Sequence, residues 1–415
     1  MRDLLDFYKL ESQKCPDFPQ LSALKTAAFA DLETLGFPTR HDEAWKYTKT
    51  DQFTKQHFNL AMHASEPLTA DVPFDVFFCD MTRGLMDSAE ALPRGVIIQT
   101  WQDALLRHAE KIAPYLGRIL KHTHGFHAQN TAMLRDGLFI YIPEHIILEK
   151  PLFLSQLQKD NQEARYIRHL IVMEPGSQAT IIEDYQGEEG ISYFTNTMTE
   201  VYLKAHASLG HYKMQRESRR AYHVGEVAVQ QEASSHFESH SLSLGGQWVR
   251  SDTSITFIEP KASCFMNGIY ITQDQQHVDH HTRVLHDVPH CTSEQDYKGM
   301  LYGRSRAVFN GIVVVAKDAQ QTEAHQQNKN LLLSPDAEID TKPQLEIDAD
   351  DVTCTHGATV GCLDEEALFY LEARGIPKPE AQDYLVQAFV AMNLKKINFN
   401  PLSLWMSQLI RQHLV

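Results

Sequence analysis

The chain has 415 residues, of which 43% are hydrophobic and 22% are charged, a composition typical of a folded globular protein. Its 38 Lys and Arg residues against 54 Asp and Glu residues give a net charge of −16, which argues against nucleic acid or an anionic membrane surface as a partner. The length exceeds that of one ordinary compact domain, so we expect two or three domains, or one elongated repeat body with appendages.

The cysteine content and the N-terminus exclude several classes of protein. None of the six cysteines forms a CxxC pair, so the sequence encodes no zinc ribbon, thioredoxin-type site or ferredoxin-type cluster site. The N-terminal segment MRDLLDFYKLESQK carries charges where a signal peptide needs an apolar run. No window approaches 18 uninterrupted apolar residues, so we expect a cytoplasmic protein without a membrane span.

Residues 1–125 predict a mostly helical N-terminal domain. The amphipathic run over residues 21–35 ends at a glycine, which is a typical helix stop. Residues 66–100 contain short strand-like runs separated by Gly and Pro, and residues 101–121 predict a helix with a break near Pro114.

The segment PTRHDEAWKYT, which lies within this domain, has the residue types of a catalytic cluster. We interpret it instead as a structural corner in which Trp45 and Tyr47 are packed, because large aromatic side chains at a turn are usually buried.

From Asp136 the pattern changes, and we predict that residues 126–361 form a β-rich core. A turn of small and polar residues with an alanine recurs before strand-like runs at intervals of 28, 26, 29, 45 and 30 residues, and we expect the long interval to hold a longer coil or an insertion. Strand–turn units without helices favour a β-solenoid, with a β-sandwich as the alternative. The alanines are Ala179, Ala207, Ala233, Ala262, Ala307 and Ala337.

The stretch HVDHHTRVLHDVPHC, residues 277–291, is the densest group of potential metal ligands. Imidazole and carboxylate groups suit iron or zinc. The stretch has no HxH or HExxH spacing on a predicted helix, and histidines in a solenoid also form hydrogen-bonded stacks. We therefore favour a structural role, and keep a stand-alone metal-storage module as an alternative.

The alternation of apolar and polar residues predicts a strand up to Ala349 and a second strand after the polar corner at Asp350. In the second strand Val352, Cys354 and His356 share one face, so a thiol and an imidazole lie two residues apart. These groups are the usual protein ligands of iron and nascent clusters. The alternative is that Cys354 is a small core residue and His356 a buried, hydrogen-bonded one.

Residues 362–415 predict a C-terminal helical domain of three helices. Acidic residues at 364–366 favour the first helix start, and Gly375 is a typical helix stop. A helical appendage on a solenoid usually caps its open end. It can also be a docking surface for a partner, and both roles can hold at once.

Several catalytic motifs are missing from the sequence. It has no GxxxxGK[ST] loop, so it does not hydrolyse ATP by a Walker mechanism, and no GxGxxG after a strand, so no nicotinamide or flavin Rossmann site is indicated. It also has no GxSxG elbow and no HExxH. No carboxylate pair can be placed across one substrate bond. This weakens the hypothesis of a β-helix carbohydrate-active enzyme, which we keep as the alternative from another class.

TKPQLEIDADDVTCTHGATVG, followed by LDEEALFYLEARGI, closely resembles the SufB/SufD family of iron–sulfur cluster assembly proteins. The PTR…WKYT segment, the YKG at 297–299 and GRSRAVFNGIVVVAKDAQQTEAHQQNKNLLLS extend the resemblance over most of the chain. HGATVG is similar to the SufD branch, whereas the Cys-Gly-Ala-His context of the SufB branch is absent. A SufB-like scaffold that itself holds the cluster is the alternative within the family.

The resemblance implies a mainly β fold: a right-handed parallel β-helix core flanked by N-terminal and C-terminal helical domains. It also implies a non-catalytic scaffold subunit without a tightly bound cofactor. This subunit would pair with a SufB-type paralogue and dock a SufC-type ABC ATPase through residues 362–415. Without the paralogue, a homodimer is an option. By this resemblance His356 faces the paralogue, and we predict that His356 and Cys354 contact transient iron or a nascent cluster. Cys362 departs from the family pattern, either as a third soft ligand or as neutral drift.

Overall fold

The computed structural model describes residues 2–15, 18–63, 72–86 and 92–414. Strands make up 42% of the structure and helices 22%, arranged as a β-solenoid of about eight turns with helices before and after it, so the predicted fold class is confirmed. Within these ranges, no helix is long and apolar enough to cross a bilayer. The α-helices are α1 (Arg2–Ser12), α2 (Ser22–Leu35), α3 (Trp101–Arg107), α4 (Ala109–Ile112), α5 (Gly125–Ala132), α6 (Glu365–Glu372), α7 (Lys378–Leu394) and α8 (Asn400–Leu414).

Short strands belong to the N-terminal region, and long ones to the solenoid. The short strands are β1 (Asn59–Leu60), β2 (Phe77–Asp80), β3 (Gly84–Leu85) and β4 (Ile97–Thr100). The solenoid strands are β5 (Leu138–Ile142), β6 (Leu152–Gln158), β7 (Glu163–Met173), β8 (Gln178–Gly187), β9 (Phe194–Leu203), β10 (Ser208–Arg216), β11 (Tyr222–Gln231), β12 (His236–Ser243), β13 (Trp248–Phe257), β14 (Ser263–Thr272), β15 (His277–His286), β16 (Thr292–Leu301), β17 (Arg306–Val315), β18 (Thr322–Leu332), β19 (Glu338–Ile347) and β20 (Val352–Gly361).

Successive solenoid strands alternate between two sheets, so each coil contributes one strand to each sheet. Sheet I has the order β19-β17-β15-β13-β11-β9-β7-β5-β4, with β1 beside β7, and sheet II has the order β20-β18-β16-β14-β12-β10-β8-β6-β2-β3. Neighbouring solenoid strands are parallel, whereas β4 is antiparallel to β5 and β3 to β2. The three N-terminal strands β2, β3 and β4 thus extend the same two sheets as the core.

The coil through the histidine-rich stretch has ordinary length. Trp248, His277 and Arg306 occupy equivalent positions on three neighbouring coils and are 29 residues apart. The expected insertion is therefore wrong. The 45-residue interval arises because Ala262 immediately precedes β14 of sheet II whereas Ala307 lies in β17 of sheet I, so it spans one coil and a half.

Apolar side chains from alternate positions of both sheets fill the interior of the solenoid. Val249, Val278 and Ala307 form one inward column of sheet I, opposite residues such as Phe237 and Cys264 of sheet II. Removing these side chains from water stabilises the fold by about 25 cal/mol per Å² of apolar surface.

The N-terminal region covers the outer face of sheet I. An outward column of Phe194, Tyr222 and Trp248 packs against aromatic residues of this region, including Phe53. Trp45 is buried and stacks on Trp248 with ring centroids 6.2 Å apart. Trp45 therefore has the structural role predicted for the corner. Nearby, the predicted helix over 101–121 is broken at His108, ahead of the expected break at Pro114.

The C-terminal helices lie across the outer face of sheet II. Val390, Trp405 and Ile410 of α7 and α8 pack on outward residues of this sheet such as Ile182 and Leu242. The expectation that these helices cap the open end is wrong. The reason is that the outer face of sheet II is itself apolar, so it takes the apolar stripe of the helices and the last coil stays uncovered.

Candidate functional site at the open end of the solenoid

The two sheets end at β19 and β20, each of which pairs with a neighbour on one side only. Half of the backbone N–H and C=O groups of such an edge strand face outward without a sheet partner. Apolar side chains are also exposed here, with Ile347 39% and Val360 47% accessible. The open end is therefore a surface suited to pairing with another strand.

His356 ends an inward-facing column of sheet II. Met266, Gln295 and Gln326 precede it at the equivalent positions of earlier coils, and all three are buried. Inside the solenoid, Gln326 Nε2 donates to Gln295 Oε1 at 3.2 Å, and Thr282 Oγ1 donates to the same oxygen at 2.6 Å. Since no further coil covers it, the last member of this polar column, His356, is exposed.

Cys354 lies two positions before His356 on the same face, as the strand pattern predicted. It is half-buried and packs on an apolar cluster that includes Val313, Ala324 and Ala349. Burial raises the pKa of the Cys354 thiol, with partial compensation from a backbone hydrogen bond of Ala324. Cys354 is thus a protonated thiol at neutral pH in this state, and the alternative of a small core residue describes its surroundings.

A shallow cleft of about 250 Å³ lies beside His356. His325 and Thr355 line it and are joined by a hydrogen bond of 2.8 Å between Nδ1 and Oγ1. Lys396, which follows α7, reaches the same cleft and pairs with Glu294 at 2.7 Å and Asp296 at 3.2 Å. These ion pairs connect the C-terminal region to the strands next to the open end.

The histidines of residues 277–291 do not converge. His280 and His286 point into the solenoid, whereas His277 and His281 lie on the outer face on either side of Asp279. Burial lowers the pKa of His280 to about 3 and that of His286 to about 4. Because these side chains face opposite sides of one strand, the structure supports the structural interpretation over a metal-storage module.

Two histidines with HxxH spacing, His124 and His127, lie at the start of α5 and were not predicted as metal ligands. Among the described residues, the one group of three potential metal ligands that lie close together is His124, His127 and Asp252. The HxxH spacing is visible in the sequence, but Asp252 belongs to β13 and reaches the pair only through tertiary packing.

The C-terminal helices present several apolar side chains to solvent. Phe369 and Tyr370 of α6 are 72% and 56% exposed, and Met392 of α7 is 65% exposed. Two aromatic residues next to each other on one short helix are more than the scattered exposed apolar residues of an ordinary surface. The pair Phe369 and Tyr370 is called the helical patch below.

Comparison with protein-family models finds two matches that together span residues 2–389. Residues 155–389 match the SufBD core domain of the SUF system of FeS cluster assembly, and residues 2–154 match the SufBD protein N-terminal region. The boundary between these matches falls inside the solenoid, so the domain boundaries at 125 and 361 stay predictions.

Three curated relatives are each 30% identical to this chain. The iron–sulfur cluster assembly protein SufD of Escherichia coli aligns over 86% of this chain and 84% of its own length. A SufBD family protein of Synechocystis aligns over 88% and 85%, and the chloroplastic protein ABCI7 of Arabidopsis thaliana over 91% and 82%. On these matches, with its solenoid core, the chain belongs to the SufBD family of iron–sulfur cluster assembly proteins.

Proposed function

We propose that this chain is a non-catalytic scaffold subunit of a SUF-type assembly complex, and that it pairs with a SufB-type paralogue through β19 and β20. The observation that carries the proposal is the open end, where two parallel edge strands and an inward-facing histidine are left uncovered. A paralogue with the same coil can continue both sheets by strand addition, which satisfies the free backbone groups of the edge.

The exposed apolar residues of the last coil support this pairing. Ile347 and Val360 belong to inward columns whose earlier members, such as Val315, are buried. Covering them with a second solenoid removes apolar surface from water and extends the core across the junction. The same argument allows a homodimer when the paralogue is absent.

The helical patch supports docking of a SufC-type ABC ATPase. Asp364 caps α6, since its side chain accepts hydrogen bonds from the backbone N–H groups of Glu366 and Ala367. The cap fixes the start of the helix that presents Phe369 and Tyr370. Buried aromatic residues dominate the binding energy of many interfaces, so a fixed, exposed pair of this kind is suited to the centre of one.

At the junction, His356 would contact iron or a nascent cluster, which is cargo of the complex rather than a resident cofactor. A neutral imidazole binds iron through a ring nitrogen, and the exposed ring of His356 is accessible from the paralogue side. Cys354 can contribute only after its apolar surroundings open, because its thiol must lose a proton to become a ligand.

The test is the variant His356→Ala in the complex with the paralogue and the ATPase. We expect the complex to form normally while iron loading and cluster yield fall at least several-fold. His325→Ala is the matched control, because this histidine lies in the neighbouring strand and lines the same cleft but faces outward. Unchanged iron loading and cluster yield in His356→Ala would remove the site assignment.

A further inference from the structure

A second group of potential ligands lies between the N-terminal region and the outer face of sheet I. His124 directly precedes α5, and His127 lies in its first turn. Glu226 of β11 and Asp252 of β13 are outward-facing neighbours at equivalent positions of adjacent coils. All four line a cavity of about 500 Å³.

Within this group, one atom each from His124, His127 and Asp252 lie within 4.8 Å of one another. The rings of His124 and His127 are 3.7 Å apart between centroids. His127 Nε2 lies 2.5 Å from Glu226 Oε2. The side chains of His124, His127 and Asp252 therefore converge on a common volume, and Glu226 adjoins it through its contact with His127.

His124 has no hydrogen-bond partner for either ring nitrogen, although only 9% of its surface is accessible. A buried imidazole without a partner costs free energy comparable to a lost hydrogen bond, about 1–3 kcal/mol. Its ring packs edge-on against Trp45 at 5.1 Å, which fixes its position. A bound group that accepts the lone pair of a ring nitrogen would remove this free-energy cost.

We propose that His124, His127, Glu226 and Asp252 form a binding site for a divalent first-row transition metal ion. Two imidazoles with one or two carboxylates are a typical ligand set for Fe²⁺, Zn²⁺ or Mn²⁺, whereas Mg²⁺ and Ca²⁺ prefer oxygen ligands alone. The site is separate from His356, because its strands belong to sheet I and His356 belongs to sheet II.

The hydrogen-bond partners of the ligands suit this role. Asp252 Oδ1 accepts from Arg250 Nε at 2.6 Å, which leaves Oδ2 for the ion. Glu226 Oε1 accepts from Ser254 at 2.7 Å, which leaves Oε2. Thr123 Oγ1 lies 3.2 Å from His127 Nδ1, which also accepts from the backbone N–H of Thr123 at 3.4 Å. When Nε2 binds the ion, this longer contact is given up and Oγ1 accepts the Nδ1 proton. Such partners orient metal ligands in known sites.

The ion would take the place of the proton between His127 and Glu226. Metal–nitrogen and metal–oxygen bonds of about 2.1 Å hold their two ligand atoms roughly 3 Å apart, so the 2.5 Å contact must widen slightly. The Nε2 proton moves to Nδ1, opposite Thr123 Oγ1. The positive charge of the ion meets the carboxylates of Glu226 and Asp252, and Asp252 also pairs with Arg250.

The test is a Co²⁺ titration of the metal-free full chain, followed by visible absorption, with Zn²⁺ as competitor. We expect one equivalent per chain, and at least a 10-fold weaker affinity in His124→Gln and in Asp252→Asn. His122→Ala is the matched control, because this histidine belongs to the same segment but its nitrogens pair with Asp31 and Thr131. His122→Ala and His356→Ala should bind Co²⁺ like the unaltered chain.

A stability measurement keeps the test independent of folding defects. Zn²⁺ should raise the unfolding temperature of the unaltered chain and of His122→Ala, and raise it less in each ligand variant that folds. If His124→Gln does not fold, Asp252→Asn carries the comparison. An unchanged Co²⁺ affinity in the folded ligand variants, no binding by the unaltered chain, or loss of binding in His356→Ala alone would overturn the assignment.

Discussion

The two ends of the solenoid differ in how they terminate. At the first end, β3 and β4 are short and antiparallel to their neighbours, and Met81, Leu85 and Val96 pack against the end of the core. At the last end, β19 and β20 are full-length parallel strands, and Val360 is exposed. The solenoid therefore covers the edge strands at its first end and leaves those at its last end uncovered.

An antiparallel strand at the first end closes the interior and shortens the edge, which protects against unwanted pairing. The last end has no such device in the part of the chain that is described, although the C-terminal helices follow β20 directly. The helices cover sheet II instead. The difference gives the solenoid one closed end and one end prepared for a partner, and the predictions below test that difference.

The largest effect should come from comparing alanine substitutions at two positions of one inward column. Phe257 and Ile347 belong to the same column of sheet I, but Phe257 is fully buried and Ile347 lies in the last coil. Phe257→Ala should lower the free energy of unfolding by about 3–5 kcal/mol, because a large buried side chain leaves a cavity. Ile347→Ala should lower it by less than about 1 kcal/mol. Urea unfolding of the chain alone measures both, and equal losses would contradict an open last coil.

A second effect concerns the pH dependence of stability, through a histidine buried in an interior coil. Burial lowers the pKa of His286 to about 4, below its ordinary value of 6.5. The contribution of His286 to the free energy of unfolding is therefore complete above pH 6.5 and is lost as pH falls towards 4. The reason is that this histidine takes up a proton at a higher pH in the unfolded chain than in the folded one. This histidine alone should account for up to about 3 kcal/mol between these values.

His286→Leu should reduce the fall in unfolding free energy between pH 7 and pH 4.5, measured by urea titration. Val315→Leu is the control, since Val315 occupies the next position of the same column and carries no proton. If His286→Leu and Val315→Leu show the same pH dependence as the unaltered chain, the buried, neutral state of His286 is wrong.

A third effect concerns the open end itself. Val360→Asp places a charge on an edge strand that we expect to be buried by the paralogue, and should weaken that association by about 2 kcal/mol, roughly 30-fold. Leu106→Asp is the matched control, because Leu106 is also exposed but lies on α3. Affinities from titration calorimetry that are equal for both variants would place the partner elsewhere.

The smallest expected effect concerns the helical patch. Phe369→Ala should weaken binding of the ATPase by about 1–2 kcal/mol, roughly 5- to 30-fold, and leave pairing with the paralogue unchanged. Leu35→Ala, at an exposed apolar position of α2, should change neither affinity. Loss of paralogue pairing in Phe369→Ala would mean that the helical patch and the open end are one interface.

Much of this architecture is readable from the sequence, and the rest depends on tertiary packing. The alternation at Val352, Cys354 and His356 predicted correctly which residues share a face, because the strand period is short and local. Whether the C-terminal helices cover the open end or the outer face of sheet II could not be predicted from local sequence. It depends on outward residues such as Ile182 and Leu242, which become neighbours only when the coils stack.

The same reason separates the two candidate metal sites. His356 could be singled out because its neighbours in sequence are also its neighbours in the strand. The group around His124 is assembled from α5, β11 and β13, which meet only after the N-terminal region packs on sheet I. The repeat could be counted but not assigned to sheets, because alanine marks positions in both, as Ala262 and Ala307 illustrate.

The most direct test of the account is hydrogen–deuterium exchange of the chain alone and with a SufB-type paralogue, with light scattering to verify the complex. The prediction is that a stable complex forms and that added protection concentrates in residues 338–361, the last coil. Protection that appears in the N-terminal region or along the C-terminal helices while residues 338–361 exchange as before would contradict pairing through the open end.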